Sequence, residues 1–323
     1  METEMDFINS VFTPDLFNVT SNGHHIFINS KDGDKNCLIL KIIEDTIKIV
    51  ELQKCNITGT LSLSLVEKLA TIMPNIRYIS LSDVSLITTN CGDRDGHKIV
   101  IDLATLKILT KGMSWYNSLG YYSPDFREEQ RRNSEILRMS FEDVIQLCTI
   151  KKIDEFKRYN TVERLQKSLE SLERRKILTN GEDEKIKFRI LDLRSYIRNY
   201  PDYLSFSIKQ IEEKNEMLIV EAKRLFPIDT SINIKEYVIK MLELINNRFD
   251  SSDELSCERY AFISNLFQVI SSVLYYDTTL LLTKEINKPP VGGKSKKHKK
   301  TKSKKRRKTK SKKRFFTNYK RKK

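Results

Sequence analysis

Apolar positions near the N-terminus are spaced as strands and helices in turn. Cys37–Ile43 and Thr46–Leu52 are runs of apolar and β-branched residues broken only at Glu44-Asp45, which predicts a β-hairpin. Asn56-Ile57-Thr58-Gly59-Thr60 reads as a turn. After it, Leu61, Leu65, Leu69 and Ile72 recur at helical spacing until Pro74-Asn75 stops the helix. Ile76–Leu81 alternates and predicts a strand, and Asn90–Gly96 reads as a polar loop. Leu103, Leu106 and Leu109 place a second helix over Ile101–Thr110, ended by Gly112.

From Arg127 the spacing is helical almost throughout. Val162, Leu165, Leu169 and Leu172 step by three and four, and so do Ile186, Ile190, Leu193, Ile197 and Tyr200 beyond Asn180-Gly181. Two narrow apolar stripes joined by a glycine turn predict an αα-hairpin with a coiled-coil-like seam, closed by Pro201. A third helix follows through Leu204, Ile208, Ile211, Leu218, Ala222 and Leu225 to Pro227, and a fourth through Ile234, Val238, Met241 and Ile245. A fifth, capped by Ser252 and densely apolar from Tyr260 to Leu274, belongs at the centre of the bundle. The fold class expected is α+β. Residues 1–126 form a mixed α/β domain, 127–288 a helical bundle, and 289–323 a linker, Pro289-Pro290-Val291-Gly292-Gly293, with a disordered basic tail.

Charge changes this picture at one place. The formal net charge is +15, yet Lys294–Lys323 hold 19 of the 58 Lys and Arg and none of the 43 Asp and Glu. The rest of the chain has 39 basic against 43 acidic residues, a formal −4. TKSKKR occurs at Thr301–Arg306 and again at Thr309–Arg314, and no apolar residue lies between Lys294 and Arg314. Such a segment buries too little surface to offset ordering entropy. It is suited to phosphate, because each cation that neutralises one releases a counterion. The nucleic-acid-binding residues expected are Lys296, Lys297, Lys299, Lys300, Lys304, Lys305, Arg306, Arg307, Lys308, Lys312, Lys313 and Arg314, followed by Phe315, Phe316 and Tyr319 as stacking aromatics. Lys304–Lys308 also reads as a nuclear import signal. Anionic membrane ranks below nucleic acid as a partner, since no amphipathic helix or lipidation motif supplies a second anchor.

Candidate chemistry elsewhere is sparse. Cys37, Cys55, Cys91, Cys148 and Cys257 are odd in number and scattered, which reads as reduced thiols in an intracellular setting. Met1–Phe12 lacks the apolar stretch of a secretory signal, and no apolar window is long enough for a membrane span. His24-His25 with Cys37, and Cys91 with His97, lack metal-ligand spacing, so no metal is expected. Gly292-Gly293-Lys294-Ser295 looks like the end of a P-loop, but Lys288 stands where its first glycine would be. Asp83-Val84-Ser85 follows a strand, where active-site residues often sit, though a lone Asp there is more often a turn former. Ser114-Trp115-Tyr116-Asn117-Ser118-Leu119-Gly120-Tyr121 holds the only Trp, and its simplest role is an aromatic lid over the N-terminal core.

The stretch from LATLKILTKG through SWYNSLGY, together with the PPVGGKSKKHKK tail, resembles proteins of nucleocytoplasmic large DNA viruses of the mimivirus kind. The resemblance covers residues 37–124 and the tail. It implies a viral protein of virion or cytoplasmic replication factory, with the nucleus as a further destination through Lys304–Lys308. Residues 1–126 are also similar to the C-terminal half of GNAT-type N-acetyltransferases, in their order of paired strands, helix, strand, helix and Tyr-x-x-x-Gly-aromatic. That similarity implies Tyr116 as the catalytic acid for a coenzyme A thiolate, with Gly120 and Tyr121 completing the motif. It implies Asn56, Thr58, Gly59 and Thr60 as the acetyl-CoA site. The family's Q/R-x-x-G-x-G/A phosphate loop is broken here, because Gln53 and Gly59 stand at the wrong spacing. Three readings follow: a nucleic-acid-associated protein, placed first; an acetyltransferase using acetyl-CoA, or its non-catalytic derivative; and a protein–protein adaptor built on the bundle. On the first reading no cofactor is needed.

Overall fold

The structure is a computed structural model that describes residues 3–31, 36–53, 57–92, 96–178, 183–276 and 281–286. These residues make a mixed α/β protein and form one compact unit. Helix α1 (Glu4–Val11) opens it, capped reciprocally by Thr3 and Asp6. Strands β1 (Phe17–Ser21), β2 (Ile26–Ser30), β3 (Asn36–Ile43) and β4 (Thr46–Leu52) form an antiparallel meander. The β3–β4 hairpin turns at Glu44-Asp45 as expected, with Glu44 in the left-handed region at φ 53°. Helix α2 (Gly59–Ile72) then crosses to β5 (Tyr78–Leu81), which pairs with β4 in parallel. Parallel neighbours need such a crossover, since no tight turn can join them.

The far edge of β5 is filled from the other end of the body. Strand β8 (Leu282–Glu285) pairs with β5 antiparallel, giving the order β1-β2-β3-β4-β5-β8. Alternate residues of these strands, including Ile26, Leu40, Ile47, Ile79 and Leu282, are buried with α1 and α2 in one hydrophobic core.

Between β5 and β8 the chain builds a second core. Strands β6 (Leu86–Gly92) and β7 (Lys98–Asp102) form a hairpin, and α3 (Leu103–Lys111) follows with Asp102 as its N-cap. The short α4 (Trp115–Ser118) returns to the first core. Helices α5 (Phe126–Ile136), α6 (Phe141–Tyr159), α9 (Tyr200–Leu225), α10 (Ile234–Glu243) and α11 (Glu254–Ser271) complete the second. As its apolar density predicts, α11 lies inside, packed on β6, β7, α3, α6 and α9. Its N-cap is Asp253, which accepts from Ser256 N, rather than Ser252. Helices α7 (Val162–Leu178) and α8 (Glu184–Arg198) form the expected αα-hairpin, with Leu165, Ile186 and Ile190 buried and Arg194 paired to Glu173 at 2.7 Å.

Three sequence expectations change. Ile101–Thr110 is not all helix: residues through Asp102 belong to β7, because the Asp102 carboxylate caps Ala104 and Thr105 and starts α3 one residue later. Part of the polar loop, Asn90–Gly92, is strand. The two cores also do not part at residue 126, since Ile99, Ile101, Leu106 and Leu109 are buried with the helices, whereas Leu282 is buried with the sheet.

The cysteines are the largest correction. Cys91 in β6 and Cys257 in α11 are joined by a disulfide across 166 residues, with Cα atoms 5.4 Å apart. Cys37 is disulfide-bonded as well, and Cys148 is a buried free thiol whose pKa burial pushes up to about 11. Sequence spacing cannot reveal a pairing that the fold makes by laying α11 against the β6–β7 hairpin. A crosslink closing so long a loop restricts the unfolded chain strongly, by about 5 kcal/mol in the chain-entropy model. We expect the double variant Cys91→Ser/Cys257→Ser to lose about 2–5 kcal/mol in a urea titration. An unchanged midpoint would mean the crosslink adds nothing to the fold.

Candidate functional site

The SWYNSLGY segment sits where the two cores meet. Gly112 ends α3 at φ 85°, a left-handed C-cap that turns the chain back toward the sheet. Ser114 then caps one turn of helix: its Oγ accepts from Asn117 N at 3.3 Å, while Asn117 Oδ1 accepts from Ser114 N at 3.2 Å. The Asn117 amide also donates to Tyr121 O at 2.9 Å. Gly120 takes φ 90°, and a Cβ there would stand 3.5 Å from Lys284 Cε. The polar residues of this segment thus close a compact turn that presents Trp115, Tyr116 and Tyr121 to the sheet core.

Tyr121 is fully buried, and its OH donates to Glu67 Oε1 of α2 at 3.2 Å. Lys284 of β8 binds the same oxygen at 2.7 Å, donates to Leu119 O at 2.9 Å, and lies 5.3 Å from the Tyr121 ring centroid. Burial, and then the Glu67 carboxylate, raise the Tyr121 pKa, so this phenol is neutral at physiological pH.

Tyr116 is 7% exposed, and its pKa is pushed up to about 12, first by burial and then by the charge of Asp83. Asp83 is itself buried just beyond β5. Its Oδ1 accepts from Ser85 Oγ at 2.7 Å, and its Oδ2 has no partner among the described residues. Tyr276 donates to the Asp83 backbone carbonyl at 2.8 Å, and burial followed by the Asp83 charge raises its pKa too. The structure thereby brings together two residues singled out from the sequence, Asp83 and Tyr116. It adds Tyr276, Glu67 and Lys284, which no local pattern marks.

The expected cofactor residues lie at the start of α2. Thr58 is its N-cap, accepting from Leu61 N, and Gly59 and Thr60 are its first two residues; Asn56 lies outside the described residues. A Cβ on Gly59 would stand 3.1 Å from the edge of the Trp115 ring. The indole lies against this helix terminus, the place where a cofactor pyrophosphate would have to meet free N–H groups. A lid accounts for this contact directly. Among the described residues no group of three or more His, Cys, Asp and Glu could hold a metal ion, and the disulfide removes Cys91 as a ligand. No helix of the described residues is long and apolar enough to cross a membrane. The basic residues assigned to nucleic acid, Lys296 through Arg314, lie outside the described residues.

No protein-family model, no curated protein and no solved structure matches the chain.

Two outcomes follow from this geometry. Trp115→Ala removes the ring that seals Gly59 and should cost about 2–4 kcal/mol, the cost of a large-to-small change at a half-buried site; a loss below 0.5 kcal/mol, as at an ordinary surface site, would contradict the lid. The raised Tyr116 pKa gives a linkage with a definite sign. The folded value, about 12, lies above the ordinary tyrosine value of 10.0. Its contribution is therefore whole below pH ~10 and lost as pH rises toward 12. Tyr116→Phe should remove about 2–3 kcal/mol of the alkaline loss of stability between those pH values and leave the slope below pH 9 unchanged.

Proposed function

We propose that this protein associates with nucleic acid, held without sequence preference by its C-terminal polybasic segment, as a component of a viral particle or replication factory. The observation that carries this reading is charge segregation: 19 basic and no acidic residues in Lys294–Lys323, on a body of formal charge −4. A mildly acidic body alone is repelled by a phosphate backbone, so attraction falls to the segment. Deleting residues 294–323 should remove nearly all binding to duplex DNA in a low-salt gel shift. Undiminished duplex binding would move the interaction to the folded body. If six to eight of these cations contact phosphate, log K should fall against log salt with a slope of about −5 to −7 on B-DNA. A slope near zero, or strong discrimination among unrelated oligonucleotides, would contradict the reading.

A second reading is a GNAT-type N-acetyltransferase. It draws on the parallel β4–β5 pair joined through α2, with Tyr116 packed beyond it. The contact of Trp115 with Gly59 favours the non-catalytic form. We therefore expect no thermal shift with acetyl-CoA. A ligand bound at a hundred times its dissociation constant would stabilise the fold by about 2.7 kcal/mol, so a saturable shift of several degrees would restore the enzyme. A third reading, an adaptor, draws on the exposed Ile177, Phe188 and Leu191 of the α7–α8 hairpin.

A further inference from the structure

We infer that the folded body carries its own binding site for single-stranded nucleic acid, along α5. This inference rests on the reading that nucleic acid is the partner and adds a second, structured point of contact. On one side of α5 lies an open cavity of about 710 Å³ lined by Arg127, Arg131, Arg138 and Lys235, with Gln130 and Ser134 between them and no acidic residue in its wall. Arg127, Gln130, Arg131, Ser134 and Arg138 recur at three- and four-residue steps and so lie on one stripe of the helix and its continuation. Lys235 comes from the first turn of α10, whose N-cap, Asn233, also lines the cavity.

The ion pairs decide which of these cations are free. Arg131 is held by Glu128 at 2.8 Å and Glu135 at 2.6 Å. Arg132, on the neighbouring face, is held by Glu128 at 2.6 Å and lies 4.4 Å from the Tyr275 ring centroid. Glu128 and Glu135, the glutamates that pair with this arginine cluster, are thus engaged. Arg127, Arg138 and Lys235 are exposed and have no ion-pair partner among the described residues. Three unpaired cations around one concavity are a site for phosphate.

The same helix supplies a place for bases. Arg127 and Gln130 also line a second cavity of about 600 Å³ with Tyr122 and Phe126. Tyr122 stacks on Phe126, with ring centroids 4.5 Å apart and planes 30° from parallel, yet stays 45% exposed. Its backbone is fixed by two hydrogen bonds with Thr283 of β8, 3.0 and 2.9 Å long. A rigidly mounted, half-open aromatic ring beside an unpaired arginine is suited to a single strand, because every base offers a π-face. A duplex keeps its bases stacked inside and cannot use the ring. Asp125 and Glu128 line this second cavity too; Glu128 is paired with Arg131 and Arg132, but the Asp125 carboxylate opposes a phosphate there, which places the phosphates on the Arg138 side.

The test uses the full chain and fluorescent dT oligonucleotides, with a duplex of equal length for comparison, titrated over a range of salt. The variant Arg127→Ala/Arg138→Ala/Lys235→Ala should weaken dT binding at least about tenfold and reduce the salt slope by about 2, the share of three phosphates on a single strand. A charge-matched control on the helical hairpin, Lys167→Ala/Lys185→Ala/Arg189→Ala, should leave the slope nearly unchanged. Tyr122→Ala should weaken dT binding about tenfold and leave the duplex unaffected. All these residues are exposed, and a thermal melt of each variant checks that it is folded. The site is overturned if the groove variant matches wild type, if the control loses as much as the groove variant, or if Tyr122→Ala changes single strand and duplex alike. In those cases wild-type binding still stands and the polybasic segment alone accounts for it. No binding by the wild-type chain at low salt would overturn both readings.

Discussion

The body depends on the closing of one sheet edge. Because β4 and β5 run parallel and α2 covers the crossover, β5 is left with an unpaired edge. That edge is filled by β8, whose Lys284 lies opposite Ile79 in register. All the chain between them must therefore leave the sheet and come back. It does so twice, at SWYNSLGY and at β8, and both returns meet at Glu67. Lys284 and Tyr121 share one oxygen of that carboxylate. A partly buried pair of this kind stabilises little in net terms, since desolvation offsets attraction. It does fix register: a shift of β8 by one residue would turn Lys284 to the opposite face and leave Glu67 beneath Tyr121 without its cation.

The sequence makes legible what is local. The β3–β4 hairpin, α2 and the αα-hairpin each carry their own period and their own breaker, and each forms where that period ends. Gly112 is readable as a helix stop, and the structure gives it the left-handed conformation that a stop requires. Boundaries fail where a side chain competes with the pattern. Ile101 fits a helical stripe, but Asp102 caps the helix and cedes Ile101 to a strand. The strands β1 and β2 are five residues each, and Phe27 between the buried Ile26 and Ile28 breaks the alternation of β2, so neither stands out in the sequence. Pairings over long separations, Cys91 with Cys257 and Glu67 with Lys284, leave no trace in spacing.

The candidate site was half legible. An aromatic segment with the only Trp draws notice, and Asp83 draws it by following a strand. What the segment does is visible only in three dimensions, where Ser114, Asn117 and Gly120 are accounted for by a capped turn and Trp115 by its contact with Gly59. A buried phenol beside a buried carboxylate is a common mark of catalysis, yet here burial is the larger cause of the Tyr116 shift, as for a core tyrosine. The basic stripe on α5 was written plainly in the sequence as Arg127, Arg131 and Arg138. It was hidden by its glutamates, and only the ion pairs separate the cations that are engaged from those that are free.

Function on this account is divided by physical type. On the proposed reading, the segment beyond residue 293 supplies 19 cations and no acidic residue, and with them a strong salt dependence. The α5 groove contributes fewer charges but fixed ones, next to an aromatic ring, which distinguishes an exposed base from a stacked one. Hydrogen exchange on the full chain, with and without a dT oligonucleotide, tests this division directly. The account predicts slowed exchange across residues 122–138 and at the start of α10, with no change at 58–61 or 114–121. Protection centred on 58–61 and 114–121, with α5 untouched, would contradict it.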